Sequence, residues 1–211
     1  MPNPYFSFKQ FTVYHDRCAM KVGTDGVLLG AWTEVSDARD ILDVGTGTGL
    51  ISLMLAQRSE AHIMAVDIDE DAVKQAEENV KNSPWPDRIE VEHHDICHFD
   101  SDIRYDVIVS NPPYFVNSLK CPDGQRNMAR HTVGLNFESL INSCGRLLSS
   151  SGRFSVIIPT DGMDEFMKIA SEEGLYLSRR TWIKTKPDAT PKRVLMEFKK
   201  QPATCVEGCL V

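Results

Sequence analysis

The chain has 211 residues, 42% of them hydrophobic and 25% charged, with a formal net charge of −7. That length and balance suit one soluble globular domain with a full core, and no apolar run approaches the ~20 residues of a membrane span. The acidic balance weighs against a general nucleic-acid binder. The six cysteines, Cys18, Cys97, Cys121, Cys144, Cys205 and Cys209, are scattered without a C-x-x-C pair. They read as free thiols of a cytoplasmic protein, with no metal site. The first ten residues, MPNPYFSFKQ, lack a basic region followed by an apolar one, so no signal peptide is expected.

In chain order, Tyr5 to Val13 partly alternates, like short strands or an edge hairpin. Thr24-Asp25 look like a helix N-cap before Gly26-Val-Leu-Leu-Gly-Ala-Trp32. From Ile41 the pattern becomes regular. Strands are expected at 41–44, 62–66, 88–92, 105–110 and 152–158, and helices at 48–57, 69–82, 137–148 and 161–173. The helix over 69–82 carries Ala72, Val73, Ala76 and Val80 on one stripe. Alternating strand and helix imply an α/β fold: a doubly wound, mostly parallel, Rossmann-like sheet with helices on both faces. Two further strands, near 176–184 and 193–199, have no helix between them and are expected to form an antiparallel edge hairpin, seven strands in all. The expected organisation is one domain over 1–200, made of an N-terminal hairpin and helix extension (1–38) and the core (39–200). A flexible tail follows over 201–211.

Two segments stand out by composition. Residues 115–133 form a long polar stretch with little periodicity, carrying Arg126, Arg130 and His131. Such a stretch inside a compact domain is usually functional or disordered. Between Arg179 and Lys200 basic residues dominate: Arg179, Arg180, Lys184, Lys186, Lys192, Arg193, Lys199 and Lys200 against Asp188 and Glu197. From charge alone this fits a nucleic-acid footprint and a solvated strand face equally well.

Asp43-Val-Gly45-Thr46-Gly47-Thr-Gly49 follows the first strong strand and opens a helix. It is G-x-G-x-G, neither the dinucleotide fingerprint nor a P-loop, and its glycines allow a tight turn close to a ligand. Asp67 ends the next strand, 22 residues after Gly45. A carboxylate there suits the two hydroxyls of a ribose. A third strand leads to Asp95-Ile96, an acceptor for an adenine amino group beside an apolar side chain that packs on the ring. Ser110-Asn111-Pro112-Pro113-Tyr114-Phe115 closes a fourth strand. Two prolines remove two donors and fix two φ angles, giving a rigid wall of carbonyl oxygens beside an aromatic ring.

These residues resemble class I S-adenosylmethionine-dependent methyltransferases. DVGTGTG, AVDID, HHDI and SNPPYF look like their successive motifs, over about Ile41 to Pro159. The resemblance implies S-adenosylmethionine as cofactor, held by Gly23, Thr24, Asp43, Gly45, Thr46, Gly47, Gly49, Asp67, Ile68, Asp95, Ile96 and Asn111. In such enzymes Asn-Pro-Pro-Tyr marks methylation of a nitrogen conjugated to a planar system, which implies Asn111, Pro112, Pro113 and Tyr114 as the catalytic set. The flanks, Phe8-Lys-Gln-Phe11, Met20 to Trp32, Ala129-Arg-His131 and Lys186 to Phe198, resemble bacterial tRNA (adenine-N6)-methyltransferases that act on a valine tRNA. With them the resemblance runs from Phe6 to Lys200. It implies methylation of the adenosine at position 37, just 3′ of the anticodon. The tRNA anticodon stem-loop is then the partner, with no membrane and no obligate protein partner. Tyr114 and Phe115 would stack on the base, and Arg126, Arg130, Lys184, Lys186, Lys192 and Arg193 would hold RNA. The alternatives are an N-methyltransferase of ribosomal RNA or DNA, or of a release-factor glutamine amide. The resemblance to the last is weaker, since that family carries a separate N-terminal helical domain and the about forty residues before Ile41 read as a hairpin and one helix.

Overall fold

A computed structural model describes residues 3–18, 21–113 and 135–211. A two-stranded antiparallel hairpin comes first, β1 (Tyr5–Ser7) against β2 (Thr12–Tyr14), followed by α1 (Thr24–Trp32). The wound core follows: β3 (Asp40–Val44), α2 (Leu50–Arg58), β4 (His62–Asp67), α3 (Glu70–Lys81), β5 (Ile89–His93) and β6 (Tyr105–Ser110). Then come α4 (Phe137–Leu147), β7 (Leu148–Pro159), α5 (Met163–Glu172), β8 (Tyr176–Ile183), β9 (Arg193–Lys199) and β10 (Val206–Leu210).

The main sheet has the order β10-β8-β9-β7-β6-β3-β4-β5. Strands β5, β4, β3, β6 and β7 are parallel, and β9 runs antiparallel to both β7 and β8. Alternate residues of each central strand feed opposite faces, because side chains along a strand alternate. Leu42, Val44, Ile108, Phe154, Val156, Ile158 and Phe198 pack with Leu140, Ile141, Cys144 and Leu147 of α4 and Phe166 of α5. Ile41, Ile63, Ala65, Val107, Val109, Ile157 and Leu195 pack on the other side with α1, α2 and the hairpin residues Phe11 and Val13. Burial on both faces is why these strands read as continuous apolar runs.

Three details correct the sequence reading. The sheet has eight strands, because Val206–Leu210 within the expected flexible tail pairs in parallel with β8. The β8–β9 hairpin is therefore not the edge: β10 covers its outer side, and Glu207 fixes it there by a two-oxygen grip on the Arg180 guanidinium. At α1 the N-cap is Gly23, with no side-chain cap bond. Thr24 is the first helical residue, and Asp25 instead accepts from Arg193 Nε at 2.9 Å. Among the described residues, no helix is long and apolar enough to cross a membrane.

Candidate active site

The carboxyl ends of β3, β4, β5 and β6 lie side by side, and the singled-out motifs sit on them. The turn after β3 wraps around the end of β4. The amides of Gly45 and Thr46 both donate to the Val66 carbonyl, at 2.9 and 3.1 Å, and the Gly47 amide donates to Asp67 Oδ2 at 2.8 Å. Such a turn needs positive φ at Gly45 (72°) and Gly47 (57°). A Cβ at either would meet nothing within 4 Å, so the outer side of the loop is open to a ligand.

Beneath the loop, Asp43 is fully buried. Its Oδ2 accepts from Thr46 Oγ1 (2.8 Å), Ser52 Oγ (2.7 Å) and the Ser52 amide (3.2 Å). Its Oδ1 has no partner. Burial pushes the Asp43 carboxyl up to about 6, against the lowering effect of the Ser52 and Thr46 donors. Asp43, Thr46 and Gly49, the N-cap of α2, are buried. They build the loop from below, while Gly45 and Gly47 face outward.

At the end of β4, Asp67 accepts one bond on each oxygen, from Gly47 and from the Asp69 amide at 3.0 Å. Each oxygen keeps a second lone pair. Ile68 beside it is 66% exposed, a large apolar side chain left uncovered at the strand end. The Ile68 carbonyl meets His93 Nε2 at 2.9 Å, and the His94 amide donates to the Asp67 carbonyl, also at 2.9 Å, joining the ends of β4 and β5. Asp95 Oδ1 accepts from the Cys97 amide and Oδ2 pairs with His98 Nδ1 at 3.0 Å. Ile96, expected on a ligand ring, is instead packed in the core with Val66 and Phe99. Ile68 is the apolar side chain that is open.

At the end of β6, Ser110 is buried and its Oγ donates to the Val44 carbonyl at 3.0 Å. That bond anchors the end of β6 to β3, where the glycine loop begins. Asn111 is partly buried, Pro112 buried and Pro113 exposed. Tyr114, Phe115, Arg126, Arg130 and His131 lie outside the described residues. Gly23 and Thr24 are exposed at the start of α1.

The basic segment divides. The loop between β8 and β9 stands at the same sheet end as the motifs, because Thr160, just past β7, donates its amide to the Lys192 carbonyl and its Oγ1 to the Pro191 carbonyl. It carries Lys184, Lys186 and Lys192. Arg193, also expected to hold RNA, turns to Asp25. The Arg179 guanidinium lies over the Trp32 ring at 4.0 Å and donates to the Trp32 carbonyl. Arg180 is taken by Glu207. The solvated-face and nucleic-acid readings therefore both miss these three arginines, which hold the fold together.

Sequence reasoning overlooked Ser52, which holds Asp43, and Asn79 of α3, whose Nδ2 donates to the Thr48 carbonyl at 2.8 Å. The signal was present in α3. Gln75 and Asn79 are polar residues four apart beside the apolar stripe, and both are buried.

A family model described as Methyltransferase small domain matches residues 22–161. The chain is 67% identical over 206 residues to the tRNA1(Val) (adenine(37)-N6)-methyltransferase of Phocaeicola vulgatus, covering 98% of this chain and 88% of that protein. It belongs to the tRNA1(Val) (adenine(37)-N6)-methyltransferase family. The member of this family from Bacteroides thetaiotaomicron is 56% identical, with the same coverage of both chains. The family's fold is shared more widely. A predicted O-methyltransferase of Agrobacterium tumefaciens superposes with a TM-score of 0.70 at 21% identity, over 89% of this chain and 87% of that one. The glycopeptide N-methyltransferase MtfA, solved with S-adenosylmethionine, superposes with a TM-score of 0.62 at 10% identity, over 83% and 92%.

The open glycine loop, the unpartnered Asp43 Oδ1, the spare lone pairs of Asp67 and the bare Ile68 fit S-adenosylmethionine, the cofactor of this methyltransferase family.

Proposed function

We propose that the chain methylates N6 of the adenosine at position 37 of a valine tRNA, with S-adenosylmethionine as donor. The observation that carries this reading is the near full-length similarity to relatives with that activity in their names. The placement of Asn111-Pro112 at the end of the strand beside the glycine loop agrees with it.

When bound, the cofactor supplies a methyl group on a sulfonium, an electrophile with a good leaving group. Gly45 and Gly47 would lie against it, Asp67 would accept from its ribose hydroxyls, and Ile68 and Asp95 would take its adenine. The adenosine N6 shares its lone pair with the ring and is a weak nucleophile. The Asn111 side-chain carbonyl and the Pro112 backbone carbonyl would accept its two hydrogens, turning the lone pair toward the donor. This arrangement works by alignment, and effective concentration is its main source of rate. No strong base is needed before attack, because the proton leaves the product nitrogen afterwards. Ser110 holds the wall in place through Val44. Lys184, Lys186 and Lys192 on the same rim would meet RNA phosphates, and a loop nucleotide is easily splayed from its stack.

The test is nucleoside mass spectrometry after incubation of the protein, S-adenosylmethionine and unmodified valine tRNA. New N6-methyladenosine in the anticodon-loop fragment is expected. Methylation of ribosomal RNA, DNA or a release-factor peptide in parallel reactions, with none in the tRNA, overturns the substrate and keeps the chemistry.

A further inference from the structure

One face of α3 holds the chain that leaves the N-terminal hairpin. Asn79 is wholly buried, and its Oδ1 and both Nδ2 hydrogens bond to backbone other than its own helix. Its Oδ1 accepts from the Tyr14 amide at 2.9 Å, and its Nδ2 donates to the carbonyls of Tyr14 and Thr48, both at 2.8 Å. Thr48 stands between Gly47 and Gly49, so one side chain ties the end of the N-terminal hairpin to the glycine loop.

The contact continues toward the site. Gln75, one turn nearer the start of α3, accepts from the Arg17 amide at 3.2 Å, and the Arg17 guanidinium meets Glu78 at 3.2 Å. The chain from Tyr14 to Arg17 thus climbs α3 toward its N-terminus, which begins just after Asp67. Cys18 is half-buried there. Burial, then the charges of Asp67, Asp69, Asp16 and Asp71, push its thiol up to about 11.

We propose that Asn79 and Gln75 are positioning residues that seat Tyr14–Cys18 as a strap beside the S-adenosylmethionine pocket and couple it to the glycine loop through Thr48. This rests on the cofactor reading above. A cofactor that orders the loop then orders the strap. By linkage, loosening the strap weakens the cofactor by the same factor. The adenosine clamp at Asn111 follows β6 and is not part of this coupling.

The first experiment uses the wild-type protein: calorimetry with S-adenosylmethionine, and hydrogen exchange at the Tyr14 and Arg17 amides with and without it. At saturation their protection should rise about fivefold or more. Cofactor binding with unchanged protection overturns the inference alone. No cofactor binding overturns the cofactor reading, and the inference with it. The second experiment uses Asn79→Asp, which keeps the acceptor and loses both donors. It should raise the cofactor Kd about tenfold, with kcat at saturating substrates within about twofold. Gln75→Leu is the variant least prone to misfold, because the Gln75 Nε2 it removes is buried without a partner. It should raise Kd by a smaller factor. A fall in Tm or kcat at unchanged Kd in both variants overturns the proposal.

Discussion

The amide of Gly47 donates to Oδ2 of Asp67 at 2.8 Å, so the loop after β3 and the carboxylate at the end of β4 are one structural unit. Asp67 thus fixes the loop and keeps a second lone pair on each oxygen, the pairs that the proposed function gives to the cofactor ribose. Asp67→Ala should raise the Kd for S-adenosylmethionine by roughly a hundredfold, the sum of a lost charged acceptor and a loosened loop. Isothermal calorimetry measures this, and an unchanged Kd removes Asp67 from the site.

Asn111 stands just past the end of a different strand, β6, and should behave differently. Asn111→Ala is expected to lower methyl transfer by about 10²–10³, far more than it weakens the cofactor, because an oriented acceptor is lost where the reacting nitrogen must align. Single-turnover rates with valine tRNA decide this. A rate near that of the wild type would refute the clamp.

The motifs were legible because their chemistry is local. The strand DILDV runs into its own glycine turn, and AVD and SNPP each end a strand within a few residues. Long-range partners were not legible. Asp25 finds Arg193 from 168 residues away, and Arg180 meets Glu207 across 27. In sequence those arginines look like free positive charge, since nothing nearby announces an acid. Strand β10 was missed for a similar reason. V-E-G-C-L has a glycine and weak alternation, and its conformation comes from the open edge of β8 and the Arg180 grip.

The division of the basic segment yields a further expectation. Lys186→Glu with Lys192→Glu should raise the KM for tRNA about tenfold or more and reduce the salt dependence of RNA binding, leaving the cofactor Kd unchanged. Filter binding across a salt series reads it. Arg179→Ala should instead lower Tm, since its guanidinium packs over Trp32. Equal loss of RNA affinity in the two variants would argue against the division.

Asp43 sets a pH dependence. Its carboxyl titrates near 4 in the unfolded chain and at about 6 when buried. Between these values the folded protein binds more protons, so its stability falls as pH rises, and the loss is complete above the folded pKa. Asp43→Asn keeps an oxygen for Ser52 and Thr46 and removes this titration. Relative to that variant, the wild type should lose on the order of 3 kcal/mol between pH 4 and pH 7. Thermal melts over that range measure it, and parallel curves would mean that Asp43 does not titrate there.

The parallel pairing of β10 with β8 bears on how the chain is made. On the ribosome, β8 emerges before β9, and β10 follows both. In that interval the outer side of β8 is a row of unpaired amides and carbonyls, the kind of template that recruits other strands. Arg180 waits on that strand with its partner acid not yet synthesised. Glu207 arrives on the segment that covers the row, so one pairing neutralises the cation and moves the open edge of the sheet from the eight-residue β8 to the five-residue β10.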